Sequence, residues 1–338
     1  MRLTVDGFAL TSNNVTYAAF GSTMNYWCFF PTGDAETGCA PVWGFGTVTE
    51  SRCAGVVAGE RFYGYFPMAT DVVLRPDQLS ASGFVDKAAH RRELHAVYNR
   101  YTRCSSDPGY VAALEAEQAL LRPLFTTSFL IDDFLDDNQF FGARTVVMSS
   151  ASSKTAYGTA FCIARNRRSQ GTARVIGLTS APNVVFTRRL GCYDEVLAYE
   201  SIDTLPLEPT VYVDFSGSAA LRLALHSRFA ERLVYSCAVG GTHWEALGGA
   251  KALPGARPVL FFAPAQAAKR IDDWGASTFL NHLAESWSAF IAVVTDPRDP
   301  WLRVVRGRGC LPTQKSYQAL LAGGVPPQDG HYLTLAPE

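Results

Sequence analysis

The residues best suited by type and spacing to do chemistry are Ser149-Ser150-Ala151-Ser152-Ser153-Lys154-Thr155. Small side chains let a backbone approach a bulky anion closely. Hydroxyls can donate to phosphate oxygens, and Lys154 adds a positive charge. If a helix starts where the run ends, its unpaired N–H groups face the same anion. The flanking residues supply those elements. Thr145–Met148 is short, apolar and valine-rich, the pattern of a buried strand. From Ala156 to Arg165, small and apolar residues (Ala156, Ala160, Phe161, Ile163, Ala164) fall on one side of a helix. Val175–Leu178 is a second apolar strand. Strand, small-residue turn, helix and strand make a βαβ unit of dinucleotide-binding length. The competing reading is an ordinary βαβ crossover with a polar turn. G-x-G-x-x-G is absent. A P-loop is excluded because Met148 and Ser153 stand where it needs glycine.

The second strand ends in Thr179-Ser180-Ala181-Pro182-Asn183, with no acid until Asp194. An acid at this corner would hold the ribose 2′-OH of NAD. Neutral donors, with Arg188 and Arg189 nearby, suit a 2′-phosphate, so the expected cofactor is NADPH. The expected cofactor-binding residues are Ser150, Ala151, Ser152, Ser153, Lys154 and Thr155 in the turn and Thr179, Ser180 and Asn183 at the corner. Gly217, Val239 and Gly240, after two later strands, complete the set.

The rest of the chain must carry this unit. At 338 residues it fits two domains, and 48% hydrophobic residues allow a sizeable core. A net charge of −1 gives no global pull toward nucleic acid or membrane, and no apolar run approaches a membrane span. Eight cysteines without C-x-x-C or zinc spacing read as reduced thiols, hence a cytoplasmic protein with no metal. The N-terminus does not read as a signal peptide. Residues 1–75 look all-β, with glycine and proline turns packed through 37–67 as in a small barrel. Residues 86–101 look like a charged helix, and 111–122 like a helix stopped by Pro123. Beyond Val184 strands alternate with helices: Glu195–Leu197, Val211–Asp214, Ala219–Phe229, Arg232–Cys237 and Val259–Phe262. Such alternation predicts a doubly wound parallel sheet. A strand, a helix (Thr313–Ala322) and a closing strand (Gly330–Leu335) finish the chain.

This order of segments resembles the medium-chain dehydrogenase/reductase superfamily, in its zinc-independent quinone-oxidoreductase-like part. Pro41-Val42-Trp43-Gly44-Phe45-Gly46-Thr47-Val48 sits where that superfamily has P-x-x-G-H-E-x-x-G-x-V. Gly59-Glu60-Arg61-Phe62-Tyr63-Gly64 resembles its G-D-R-V-x-G. Leu190-Gly191-Cys192-Tyr193-Asp194-Glu195-Val196 resembles L-G-A-D-x-V, and Asp214-Phe215-Ser216-Gly217 resembles D-x-x-G. The serine turn, Leu121–Phe125 and Gly240-Gly241-Thr242-His243-Trp244 are similar to a divergent branch known as a domain of unknown function. The resemblance implies an α/β chain: a GroES-like β-barrel catalytic domain at 1–125 and 290–338, and a Rossmann doubly wound parallel-sheet domain at 126–289. It also implies an earlier strand before Met1, so that either the natural start lies upstream or the barrel is trimmed.

Phe45 and Gly46 replace the zinc-binding His and Glu of the alcohol dehydrogenases, and no four-cysteine lobe exists. What the resemblance leaves is hydride transfer from NADPH to a quinone or an α,β-unsaturated carbonyl. A non-catalytic NADPH-binding sensor on the same fold stays open. Relatives line their cleft with the segment resembling Leu10–Tyr17. Asn14, Tyr17 and Tyr26 are therefore the candidate catalytic residues, the tyrosines as proton donors. The competing reading packs both tyrosines in the barrel. His243 is a candidate substrate-orienting residue or a structural histidine. His90 and His95 read as solvated. Asp132-Asp133 and Asp136-Asp137 read as helix-end carboxylates, and Lys269-Arg270 as a solvated face. The expected partner is a small-molecule substrate, with a homodimer implied by resemblance alone.

Overall fold

Alternating strands and helices through the middle of the chain build one parallel sheet, while the two ends build a second, largely antiparallel sheet. The computed structural model describes residues 1–34, 36–170, 173–239 and 253–336, with only the backbone of 167–170. Chain contacts divide it into two units, Met1–Pro123 with Pro297–Glu338, and Leu124–Asp296.

The first unit opens with β1 (Arg2–Leu10), α1 (Ser12–Ala19), β2 (Pro41–Glu50), β3 (Arg61–Pro67) and β4 (Asp71–Val73). It continues with β5 (Pro76–Ser80), β6 (Gly83–Asp86) and β7 (Arg100–Arg103), and α2 (Glu115–Asp137) leads out of it. The second unit holds β8 (Thr145–Met148), α3 (Lys154–Gln170), β9 (Arg174–Thr179), α4 (Val184–Arg189), β10 (Glu195–Ala198) and β11 (Thr210–Asp214). It closes with α5 (Ala219–Phe229), β12 (Leu233–Ala238), β13 (Pro258–Leu260), α6 (Ala263–Trp274) and α7 (Ala276–Val294). The tail returns to the first unit as β14 (Arg303–Arg308), α8 (Cys310–Leu321) and β15 (Asp329–Thr334).

In the first unit the strand order is β14-β15-β1-β2-β3-β7-β6-β5, with β4 on β1. Its core is the inward face of these strands, Leu3, Val5, Phe8, Val42, Phe62, Phe66, Phe84 and Tyr101 among them. In the second unit all pairings are parallel and the order is β10-β9-β8-β11-β12-β13. All four residues of β8 are buried, as a strand covered on both faces requires. Val147, Ile176, Leu178, Tyr212, Leu225, Phe229 and Leu233 pack one side. From β8 the chain winds to β9 and β10 on one side, then crosses to β11, β12 and β13 on the other. The turns after β8 and β11 therefore diverge at a switch point, where doubly wound sheets take their ligands.

Three expectations need correcting. Residues 1–75 are not all strand, since α1 lies between β1 and β2. Pro123 does not stop a helix. It lies inside α2, whose buried Leu120, Leu121, Phe125 and Leu130 hold the helix together across the missing hydrogen bond. Residues 86–101 are two short 3₁₀ turns running into β7, and not a helix. Arg91 explains this. Its side chain is buried, pairs with Asp86 at 3.1 Å, and donates to Phe29 O and Tyr101 Oη, both at 3.1 Å. Those tertiary partners outweigh local helical preference.

Candidate functional site

The serine run forms the turn between β8 and α3. Ser150 takes a left-handed conformation, φ +47°, where dinucleotide turns usually place glycine. Ala151 is fully buried. Its N–H donates to Leu178 O (2.9 Å) and its carbonyl accepts from Tyr193 Oη (2.8 Å). This close approach needs a glycine opposite, because a Cβ on Gly177 of β9 would lie 2.8 Å from Ala151 Cβ. Ser153 closes the turn, its N–H on Ser150 O (2.7 Å), and its hydroxyl accepts from Ala156 N at 3.4 Å as the cap of α3. Lys154 and Thr155 then begin the helix, half-buried, at the positive end of its dipole. Gly158 lets α3 lie against α2, where a Cβ would stand 2.6 Å from Ser128 Oγ.

The corner after β9 joins this turn. Thr179 Oγ1 and Asn183 Nδ2 both donate to Ser152 Oγ, at 3.1 and 3.3 Å. With its oxygen accepting twice, the Ser152 hydroxyl proton is left to donate outward. Thr179 is itself buried, so it orients Ser152 and does not face solvent; Ser180 and Asn183 are half-buried. Asp194 lies away from this corner, since its Oδ2 accepts from Val175 N (2.6 Å) near the start of β9. Arg188 and Arg189 are exposed on α4.

Ser149 ties the two diverging turns together. Its hydroxyl donates to Asp214 Oδ1 (3.0 Å) and accepts from Phe215 N and Ser216 N (3.0 and 3.1 Å). Asp214 also takes the N–H groups of Ser216 and Gly217 and pairs with Arg222 at 2.8 Å. Gly217, at φ +65°, thus spends its N–H on Asp214, and Val239 spends its own on Asp214 O (2.9 Å). Both shape the sheet's C-terminal edge rather than present donors. Gly240 and His243 lie outside the described residues. Sequence reasoning missed Tyr199, whose hydroxyl accepts from Ser150 N at 3.0 Å. Its place directly after β10, on the ligand-bearing edge of the sheet, was the available signal.

The first unit holds an aromatic cluster around Tyr17, Phe29 and Tyr65, with Tyr26, Phe30, Trp43, Leu94 and Tyr98 against it. Tyr17 and Tyr26 come together, their ring centres 4.5 Å apart. Burial raises the pKa of both phenols, so they remain protonated donors. Asn14 is committed elsewhere. Its Oδ1 accepts from Thr11 N (2.7 Å) at the start of α1, and its Nδ2 donates to Pro41 O (2.8 Å). It is buried, and its polar atoms serve the α1–β2 junction.

Two charge assignments change. Asp132 caps nothing: it is buried in α2, Asn166 Nδ2 donates to it at 2.6 Å, and burial lifts its pKa to about 8. Arg270 is not on a solvated face but is buried among Asp133, Asp137 and Asp273, with its guanidinium 4.6 Å from the Trp274 ring centre. Lys269 bridges Asp137 and Asp273 beside it. His90 and His95 are exposed; His90 Nε2 is 3.3 Å from Phe29 O, and His95 Nδ1 accepts from Val97 N. Among the described residues no group of three His, Cys, Asp or Glu side chains is placed to hold a metal ion, and no helix is long and apolar enough to cross a membrane.

The comparisons with known proteins agree with this architecture. A family model described as a protein of unknown function (DUF2855) matches residues 8–326. Among curated proteins, none matches. Solved structures do. The YhdH oxidoreductase of Salmonella enterica, in complex with NADP, is 13% identical with a TM-score of 0.54, covering 99% of this chain and 91% of its own. CurA of Vibrio vulnificus, in complex with NADPH, is 13% identical with a TM-score of 0.56, covering 100% and 90%. The quinone oxidoreductase of Coxiella burnetii is 13% identical with a TM-score of 0.52, covering 99% and 90%. The chain therefore has the fold of these oxidoreductases, as its motif order led one to expect.

Proposed function

The chain belongs to the DUF2855 family of unknown function, and from that premise we propose that it is an NADPH-dependent, zinc-independent reductase of a quinone or an α,β-unsaturated carbonyl. The observation that carries this reading is the serine turn at the switch point of a sheet ordered 3-2-1-4-5-6, the order of dinucleotide-binding folds. Its chemistry fits a pyrophosphate. Ser150 supplies the left-handed step, Ser152 an oriented hydroxyl, Lys154 a cation, and α3 the first-turn N–H groups. Ser180, Asn183 and the exposed Arg188 and Arg189 suit the 2′-phosphate, and no acid stands at that corner to favour NADH. When bound, NADPH supplies the hydride.

The first unit takes the catalytic, GroES-like role in this reading, and the second the cofactor-binding role. Reduction of a conjugated carbonyl also needs donors to its oxygen and a proton source. We assign the proton source to Tyr17 and Tyr26, neutral phenols held together and kept protonated by burial. Asn14 is left out because its amide already serves the α1–β2 junction.

The test is a calorimetric titration with NADPH and NADH, followed by NADPH oxidation against a panel of quinones and enones. Preference for NADPH, with turnover of at least one acceptor, is expected. Ser180→Asp should reverse the cofactor preference by setting a carboxylate against the 2′-phosphate. Equal affinity for both cofactors would refute the corner's role, and binding without turnover on any acceptor would refute catalysis.

A further inference from the structure

Strand β3 points two tyrosines the same way, Tyr63 and Tyr65, because alternate residues of a strand share a face. Across the β2–β3 ladder Tyr63 faces Phe45 and Tyr65 faces Trp43. Tyr65 is fully buried and Tyr63 is 6% exposed, yet neither phenol oxygen makes a hydrogen bond of good geometry, although the Tyr17 hydroxyl comes close to that of Tyr65. Buried hydroxyls are normally paired, so two orphans on one strand face need a reason.

Their surroundings supply one. The Tyr65 ring lies 4.7 Å from Tyr98, 5.1 Å from Trp43 and 5.8 Å from Tyr17. Tyr26 sits over Tyr17 and meets Tyr98 edge-on at 6.1 Å. Beyond burial, the phenols of Tyr17, Tyr98 and Tyr26 all push the Tyr65 pKa further up. Trp43 and Tyr63 stack nearly parallel at 5.6 Å. The walls are aromatic, with Leu94. Two paired charges flank the cluster: Arg122 lies 5.4 Å from the Tyr63 ring centre and faces Asp107, and Arg91 lies 5.7 Å from the Phe29 ring centre and faces Asp86. Tyr26, Trp43 and Tyr98 each keep part of their surface exposed, so the cluster is open to solvent.

We propose that this cluster binds a neutral, planar aryl ketone or quinone, with the Tyr65 hydroxyl, seconded by Tyr63, donating to its carbonyl oxygen and the aromatic walls stacking on its rings. The assignment rests on the reductase reading above and names the substrate class at that same site. Flat apolar walls select planarity. Phenols that stay protonated offer hydrogen bonds without charge, and the two arginines beside the cluster already face Asp86 and Asp107, so an anionic ligand gains little to offset its desolvation.

The experiment uses the full chain without NADPH and three probes: fluorenone, a planar aryl ketone that thiols do not capture; fluorene, which lacks the carbonyl; and fluorenone-4-carboxylate, which adds a charge. Fluorenone should bind about tenfold more tightly than either of the others, the worth of one good hydrogen bond. Tyr65→Phe should remove that advantage while leaving fluorene affinity unchanged. Because it deletes an unpaired buried hydroxyl, the same change should leave Tm unchanged or raise it. Equal binding of fluorenone and fluorene, binding of neither, or a Tyr65→Phe variant with lowered Tm and unaltered fluorenone affinity would each overturn the proposal. The last result would mark the hydroxyl as structural. A parallel NADPH titration separates the two readings: NADPH binding without fluorenone binding sinks this inference alone, and the reverse sinks the cofactor assignment alone.

Discussion

Asp132 should make the folded chain lose stability as pH rises through the neutral range. Its carboxyl is 2% exposed, and its pKa stands at about 8 against an ordinary 3.8. Burial is the largest cause. The Asn166 hydrogen bond and Arg165 pull the value down, while Asp136 and Asp133 push it up. The folded chain keeps this proton between the two values and the unfolded chain releases it. The contribution is therefore complete below the unfolded pKa and fades as pH climbs toward the folded one. One proton is worth ~1.4 kcal/mol per pH unit inside that window. From about pH 5 to about pH 7 the wild type should lose on the order of 2 to 3 kcal/mol relative to Asp132→Asn, which keeps an acceptor for Asn166 but cannot ionise. Urea unfolding of both proteins across that range measures it. Parallel stability profiles would refute the reasoning and mean that Asp132 ionises in the fold with a compensating partner.

Three further changes probe the turn and its supports. Ser150→Gly relieves a left-handed serine and should raise stability by up to about 1 kcal/mol in thermal unfolding, with NADPH affinity retained; a loss of stability would show that the Ser150 side chain matters more than its backbone. Gly158→Ala should cost roughly 1–3 kcal/mol, because its Cβ meets Ser128 Oγ at 2.6 Å and Ser128 is tied to Leu124 O and Thr155 O; an unchanged denaturation midpoint would contradict the close approach of α3 and α2. Lys154→Ala should weaken NADPH binding roughly ten- to a hundredfold, the loss of one charge-assisted hydrogen bond, raising the cofactor KM with little change in kcat. A collapse of kcat at constant NADPH affinity would instead place Lys154 at the reacting centre.

The parallel sheet was legible because its strands are short, apolar and separated by helices of regular period. The run from Val211 to Phe229 shows this: the expected strand and helix match β11 and α5 almost residue for residue. The serine turn was legible from residue size alone. What stayed hidden was set by partners distant in sequence. Nothing local says that Arg91 will be buried against Asp86 and Phe29, or that Arg270 will be enclosed by carboxylates from α2. Thr179 and Asn183 were singled out as ligand contacts, yet both spend a donor on Ser152, 27 and 31 residues upstream, a pairing that only the folded corner creates. Tyr63 and Tyr65 could have been noticed as an alternating pair, but their unpaired hydroxyls become visible only once the strand is packed.

The account stands most directly on where NADPH lies, and a crystal structure of the full chain with NADPH at saturating concentration decides it. The pyrophosphate is predicted against the Ser150–Thr155 turn, within hydrogen-bond distance of the Ser152 hydroxyl and the first N–H groups of α3, with the 2′-phosphate beside Ser180 and Asn183. NADPH bound elsewhere, or an empty serine turn at saturation, would contradict the central claim.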